Sequence, residues 1–118
     1  MKAMNVNVQQ LVGAVCMTYE DGAKLHEAYR PAFDRGETVT LDFADTRIFV
    51  SQFFNAAVGQ LLKDYGIDEV RHRLLFANLP SSAHAPLKRS VENAERYYRD
   101  PQFQTALDSV LEAHAAGV

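Results

Sequence analysis

Four polar residues lie close together in one stretch of this chain. Asp42 and Asp45 come first, then Ser51 and Gln52, set among Leu41, Phe43, Ile48, Phe49, Phe53 and Phe54. Paired carboxylates can ligate a divalent cation or move a proton. A serine that opens a helix can cap it. A phosphate placed there would meet free N–H groups and the positive end of the helix dipole. Each of these chemistries needs partners. No further ligand stands at recognisable spacing from Asp42 and Asp45. Asp42 therefore reads as a strand-end carboxylate bonded to loop N–H groups, and Asp45 as a turn residue. Ser51 reads first as a helix N-cap, second as a contact residue and third as a phosphoacceptor.

Other reactive side chains are scattered. His26, His72, His84 and His114 show no metal-ligand spacing. His26 and His114 fall on the apolar faces of their helices, and His84 precedes a helix in a loop. Cys16 is the single cysteine, so an intrachain disulfide is impossible and a structural zinc site is disfavoured. It reads as a small buried hydrophobe. The glycines form neither a dinucleotide-binding nor a Walker pattern. No cofactor is expected. Arg96, Tyr97, Tyr98 and Arg99 form a basic-aromatic cluster, a residue mix favoured at interfaces. The competing reading has Tyr98 packed inward and the others solvating a helix end.

The elements that position the four polar residues follow from periodicity. Residues 4–11 alternate, with Met4, Val6 and Val8 opposite Asn5, Asn7 and Gln9, which predicts a half-buried strand. Residues 12–18 are apolar but interrupted by Gly13, and fit a short strand or a loop. Residues 20–34 have helical spacing, with a kink or an end expected near Arg30 because Pro31 lacks a donor. Arg35-Gly36-Glu37 is a turn. Residues 38–43 form the clearest strand, with Val39, Leu41 and Phe43 on one face and threonines on the other. Residues 51–65 form the clearest helix, capped by Ser51 and closed by Gly66. Leu74-Leu75-Phe76-Ala77 reads as a strand covered on both faces. A helix over 85–99 buries Leu87, Val91, Ala94 and Tyr98. Asp100-Pro101 starts a last helix striped by Phe103, Ala106, Leu107, Val110 and Leu111. Alternating strands and helices predict an α/β domain with an at least partly parallel sheet and about four helices.

Composition limits the function classes. A chain of 118 residues fits one domain, expected to span 1–118. The hydrophobic fraction of 47% and charged fraction of 23% are those of a folded globular protein. A net charge of −3 argues against nucleic acid as the main partner, which calls for a clustered basic surface. No apolar run reaches the ~18 residues of a membrane-spanning helix. Residues 1–16 lack the apolar core of a signal peptide. A cytoplasmic location is expected.

The central stretch resembles a known family. Thr38-Val39-Thr40-Leu41-Asp42-Phe43, then Ile48-Phe49-Val50-Ser51-Gln52-Phe53-Phe54, then Val58-Gly59-Gln60-Leu61-Leu62, and later Leu75-Phe76-Ala77-Asn78, are similar to the bacterial STAS-like domains of unknown function. The resemblance covers roughly residues 22–98. It implies a sheet flanked by helices and a non-catalytic, regulatory role. In the related anti-sigma-factor antagonists, a histidine-kinase-like ATPase phosphorylates a serine at the start of the helix after the Asp-bearing strand, and the added charge breaks their complex. The antagonists' Asp-Ser-Ser-Gly reads Val50-Ser51-Gln52-Phe53 here, without the acidic residue and the glycine. Counted from Leu41-Asp42, the phosphoacceptor position falls on Gln52, one residue after Ser51. The resemblance thus implies a binding surface at this edge more than a phosphorylation site. The expected function is a protein-binding module whose partner is such an ATPase or another signalling protein. The alternative is a small-ligand sensor for a nucleotide or lipid.

Overall fold

A computed structural model of the chain describes residues 2–99. Strand β1 (Ala3–Asn7) is shorter than the alternation over 4–11 suggests. The side chain of Asn7 accepts a hydrogen bond from the Gln10 N–H at 2.9 Å and caps α1 (Val8–Val12). Asparagine offers the backbone this alternative to a sheet ladder. Strand β2 (Val15–Cys16) follows. Thr18 then accepts from the Asp21 N–H and opens α2 (Tyr19–Asp34). Glu20 and Asp21 stand in the first turn of α2, where the helix dipole favours them.

The break expected near Arg30 does not occur: α2 runs through Pro31 to Asp34. Pro31 lies in the last turn, and the end of the helix is held from outside. The Arg73 guanidinium donates to the carbonyls of Phe33 and Glu37 at 2.9 and 3.1 Å and lies over the Phe33 ring at 3.9 Å. Gly36, at φ +89°, then reverses the chain.

Strand β3 (Thr38–Asp42) leads through a turn into β4 (Arg47–Phe49) and α3 (Ser51–Ala57). The long helix expected over 51–65 breaks at Val58. In a continuous helix the Ala57 carbonyl would accept from Leu61. Here the buried Tyr29 hydroxyl donates to that carbonyl, and the Leu61 N–H turns back to Val58 at 3.0 Å. The result is a 3₁₀ segment over Gly59–Lys63. Gly66 does not close this helix; it is the N-cap of α4 (Ile67–Arg73). Strand β5 (Leu74–Ala77) and α5 (His84–Arg99) complete the described residues, joined by a short 3₁₀ turn over Ser81–Ala83.

Three strands form an all-parallel sheet in the order β1-β3-β5, as the α/β alternation predicts. A separate parallel ladder joins β2 to β4. Val6, Leu41 and Phe76 share one row of the large sheet, and Val39 and Leu74 another. These rows face the core, where Leu25, Tyr29, Phe33, Phe43, Phe53, Phe54 and Leu61 are fully buried. Asn5, Thr40 and Leu75 form the opposite row. Leu75 is 43% exposed, so β5 is covered on one face only, contrary to its sequence reading. Five α-helices are described where about four were expected, because α1 and α4 are too short to show a clear period. The last expected helix, with Phe103, Ala106, Leu107, Val110 and Leu111, lies outside the described residues, as does His114.

Candidate functional site

Because β1, β3 and β5 run parallel, their C-terminal ends share one edge. Asn7, Asp42 and Ala77 are register partners there. Binding sites of open α/β sheets favour this edge.

Asp42 is engaged by its own scaffold. Its Oδ1 accepts from the Asn78 side-chain amide at 2.9 Å and from the Ala44 N–H at 3.0 Å. The Asn78 amide first, and the Ala44 N–H second, hold its carboxyl below the usual range. Asn78 adopts φ +54°, a left-handed conformation that asparagine tolerates. Asp42 is thus the strand-end carboxylate that the sequence suggests. Asp45 is an exposed turn residue at φ +62°. Thr46 closes the turn from beneath, its buried hydroxyl donating to the Phe43 carbonyl at 2.6 Å.

The chain then makes a bulge. Val15 pairs with Arg47 and Cys16 with Phe49, so Ile48 is an extra residue in the ladder. The bulge is pinned on both sides: the Arg47 N–H donates to Ala14 at 2.6 Å, and the Val50 N–H to Cys16 at 3.1 Å. Ile48 sits at φ +59° with 52% of its surface exposed. Three residues later the helix begins.

Ser51 is not the N-cap. That position belongs to Val50, which has no side chain able to cap, and Ser51 is the first residue of α3. The start of α3 is tied down from another helix, by Ser90. Its buried hydroxyl donates to the Ser51 carbonyl at 2.9 Å and fixes the start of α3 against α5. The half-buried Ser51 side chain makes no hydrogen bond among the described residues. Gln52 is exposed beside it. No hydrogen bond joins Asp42 or Asp45 to Ser51 or Gln52, so the four residues share an edge without forming one constellation.

The remaining reactive groups lie elsewhere. Cys16 is fully buried, and burial, with the Asp21 charge second, pushes its thiol up to about 11. His26 packs edge-on against Tyr29 and meets the Arg30 guanidinium at 3.3 Å. Burial first and Arg30 second lower its pKa. His72 contacts the Asp68 carbonyl within its own helix, and His84 is exposed at the start of α5. Tyr98 is half-buried with Tyr97 edge-on to it. No group of three His, Cys, Asp or Glu among the described residues could hold a metal ion.

Sequence reasoning assigned no site role to three residues that shape this edge. Ile48 looked like one more apolar residue before the helix. Ser90 interrupts the 87/91/94 stripe of α5 with a polar side chain on the same face, which is a readable signal. Asn78 ends a strand and is a residue type that adopts positive φ.

A family model described as a STAS-like domain of unknown function (DUF4325) matches residues 21–83. The chain belongs to this STAS-like family. The matched part of the STAS-like domain runs from the first turn of α2 to the turn before α5, and so contains the whole Asp42–Gln52 edge. No curated protein and no solved structure matches the chain.

Proposed function

We propose that this STAS-like domain is a non-enzymatic regulatory module of the bacterial cytoplasm. In this reading it binds a partner protein through the edge that presents Asp45, Ile48, Ser51 and Gln52. The observation that carries the proposal is Ile48. A β-branched residue at positive φ is strained by about 1–2 kcal/mol. The residue is more than half exposed, so burial within this fold does little to offset the strain. Burial against a partner would, because covering an isoleucine contributes about 1.5–3 kcal/mol. The surrounding scaffold supports the same reading. Asp42 and Thr46 are consumed in holding the turn, while Asp45 and Gln52 point to solvent.

The family resemblance suggests a histidine-kinase-like ATPase as the partner. The test is calorimetric titration of such an ATPase with the wild-type domain and with Ile48→Asp, Ser51→Ala and Ser51→Asp. Ile48→Asp is expected to weaken binding at least about tenfold, the scale of a central interface residue. Ser51→Ala is expected to bind like wild type, since its hydroxyl has no partner to lose among the described residues, and Ser51→Asp to weaken binding by placing a charge at a half-buried position. Wild-type affinity in Ile48→Asp would remove this edge from the interface.

A further inference from the structure

The sheet has a second open border, away from the Ile48 edge. Among the described residues β5 pairs only with β3 and so ends the sheet. The Phe43 N–H donates to the Ala77 carbonyl at 2.9 Å. Ala77 and, by alternation, Leu75 therefore turn their backbone groups toward β3, and Leu74 and Phe76 turn theirs toward the free side. The Leu74 N–H is taken by Val70. The Leu74 carbonyl and the Phe76 N–H and carbonyl face outward.

That border opens into a groove of about 520 Å³ between α4, β5 and α5. Val70, Leu74, Leu87 and Val91 make its lining apolar. Its charges are mixed: Arg71 and Lys88 on one hand, Glu92 and Glu95 on the other. An edge strand beside an apolar groove is a template for another strand.

We infer that this border is the contact between two copies of the chain, related by a two-fold axis through Leu75. Antiparallel pairing of β5 with β5 of a second copy makes a continuous six-stranded sheet. In this register each Phe76 N–H donates to the Leu74 carbonyl of the other copy. The two Leu75 residues face each other as a non-hydrogen-bonded pair, the closer kind of cross-strand neighbour. The exposure of Leu75, 43% in the single chain, then has a cause. The charge order also fits a second copy as the occupant: the exposed Lys88 meets Glu92 of its own helix only at 3.9 Å, a loose pair that a carboxylate of the other copy can share. Along α5 the groove residues run Lys88, Glu92, Glu95, positive to negative. Reversed by the two-fold axis, the same row places Glu95 of one copy opposite Lys88 of the other. A self-complementary patch of this kind is what an isologous dimer requires.

The test is sedimentation velocity on the full chain from micromolar to submillimolar concentration. The wild type is expected to form a dimer. Leu75→Glu, a change at an exposed position, is expected to give a folded monomer, with folding checked by circular dichroism. Lys88→Glu is expected to weaken the dimer, and adding Glu95→Lys to restore it. A wild type that stays monomeric throughout, a dimer that Leu75→Glu leaves intact, or a failure of the double charge reversal to restore association would each overturn the assignment.

Discussion

Isoleucine is a costly residue at φ +59°, and asparagine a far easier one, because its short side chain tolerates the left-handed region. Ile48→Asn is therefore expected to stabilise the isolated domain by about 1 kcal/mol in urea denaturation while weakening partner binding. Opposite signs for stability and binding would identify strain kept for contact. Neither the exposure nor the backbone sign of Ile48 was legible in the sequence. Both arise because β2 contributes two residues to the ladder where β4 contributes three, a count fixed by pairing between distant parts of the chain, Val15 with Arg47 and Cys16 with Phe49. Asp42 was legible for the opposite reason. A carboxylate at the end of a strong strand meets the N–H groups of its own turn whatever else the fold does. Ser51 lay between these cases. Its place at the helix start was visible, but the hydroxyl that fixes that start belongs to Ser90, thirty-nine residues away.

At the level of elements, α2 and α3 are locked together in two ways. Tyr29 reaches across to the Ala57 carbonyl, and Gly22 lets the two backbones meet. Tyr29→Phe would leave that buried carbonyl without its donor, a loss of about 1–3 kcal/mol measurable by chemical denaturation. Gly22→Ala is expected to be worse. A Cβ at Gly22 would run into the Phe53 carbonyl oxygen and come within 2.9 Å of the Ala56 Cβ. Overpacking of that kind costs about 1–3 kcal/mol or more, because backbone must move. The same measurement should show a lowered urea midpoint with little change in slope. The periodicity of α2, β3 and α5 made those elements readable, since each buries one regular stripe. The break in α3 was not readable. Residues 51–65 carry an unbroken apolar pattern, and the interruption is imposed by a tyrosine hydroxyl on another helix. The bounds of β1 failed more locally, where the Asn7 side chain ended the alternation early.

For the whole molecule, the polar seam beside α2 sets a pH dependence. His26 stands against Tyr29 and Arg30, and Arg30 also pairs with Asp34 and Asp64 at 2.8 and 2.7 Å. Burial and the Arg30 charge lower the His26 pKa in the folded state below its ordinary 6.5. The unfolded chain therefore binds the proton more readily. The contribution of neutral His26 is complete above about pH 6.5 and is lost as the pH falls below that value toward the folded pKa. Thermal melts from neutral to mildly acidic pH should show this decline, and His26→Gln should flatten it; an unchanged slope would exclude His26 as its source. Parallel topology was legible from the alternation of elements, but the pairing of β2 with β4 beside the main sheet was not, because each strand is too short to carry a pattern. That small ladder gives the molecule a built-in reporter. Cys16, the single thiol, is sealed within it and is poorly ionised at neutral pH, so alkylating reagents can reach it only during transient openings. Its modification rate therefore measures how often the support of Ile48 comes apart. A ligand seated on the Ile48 edge should slow that rate in proportion to its occupancy, with no label attached and no residue replaced.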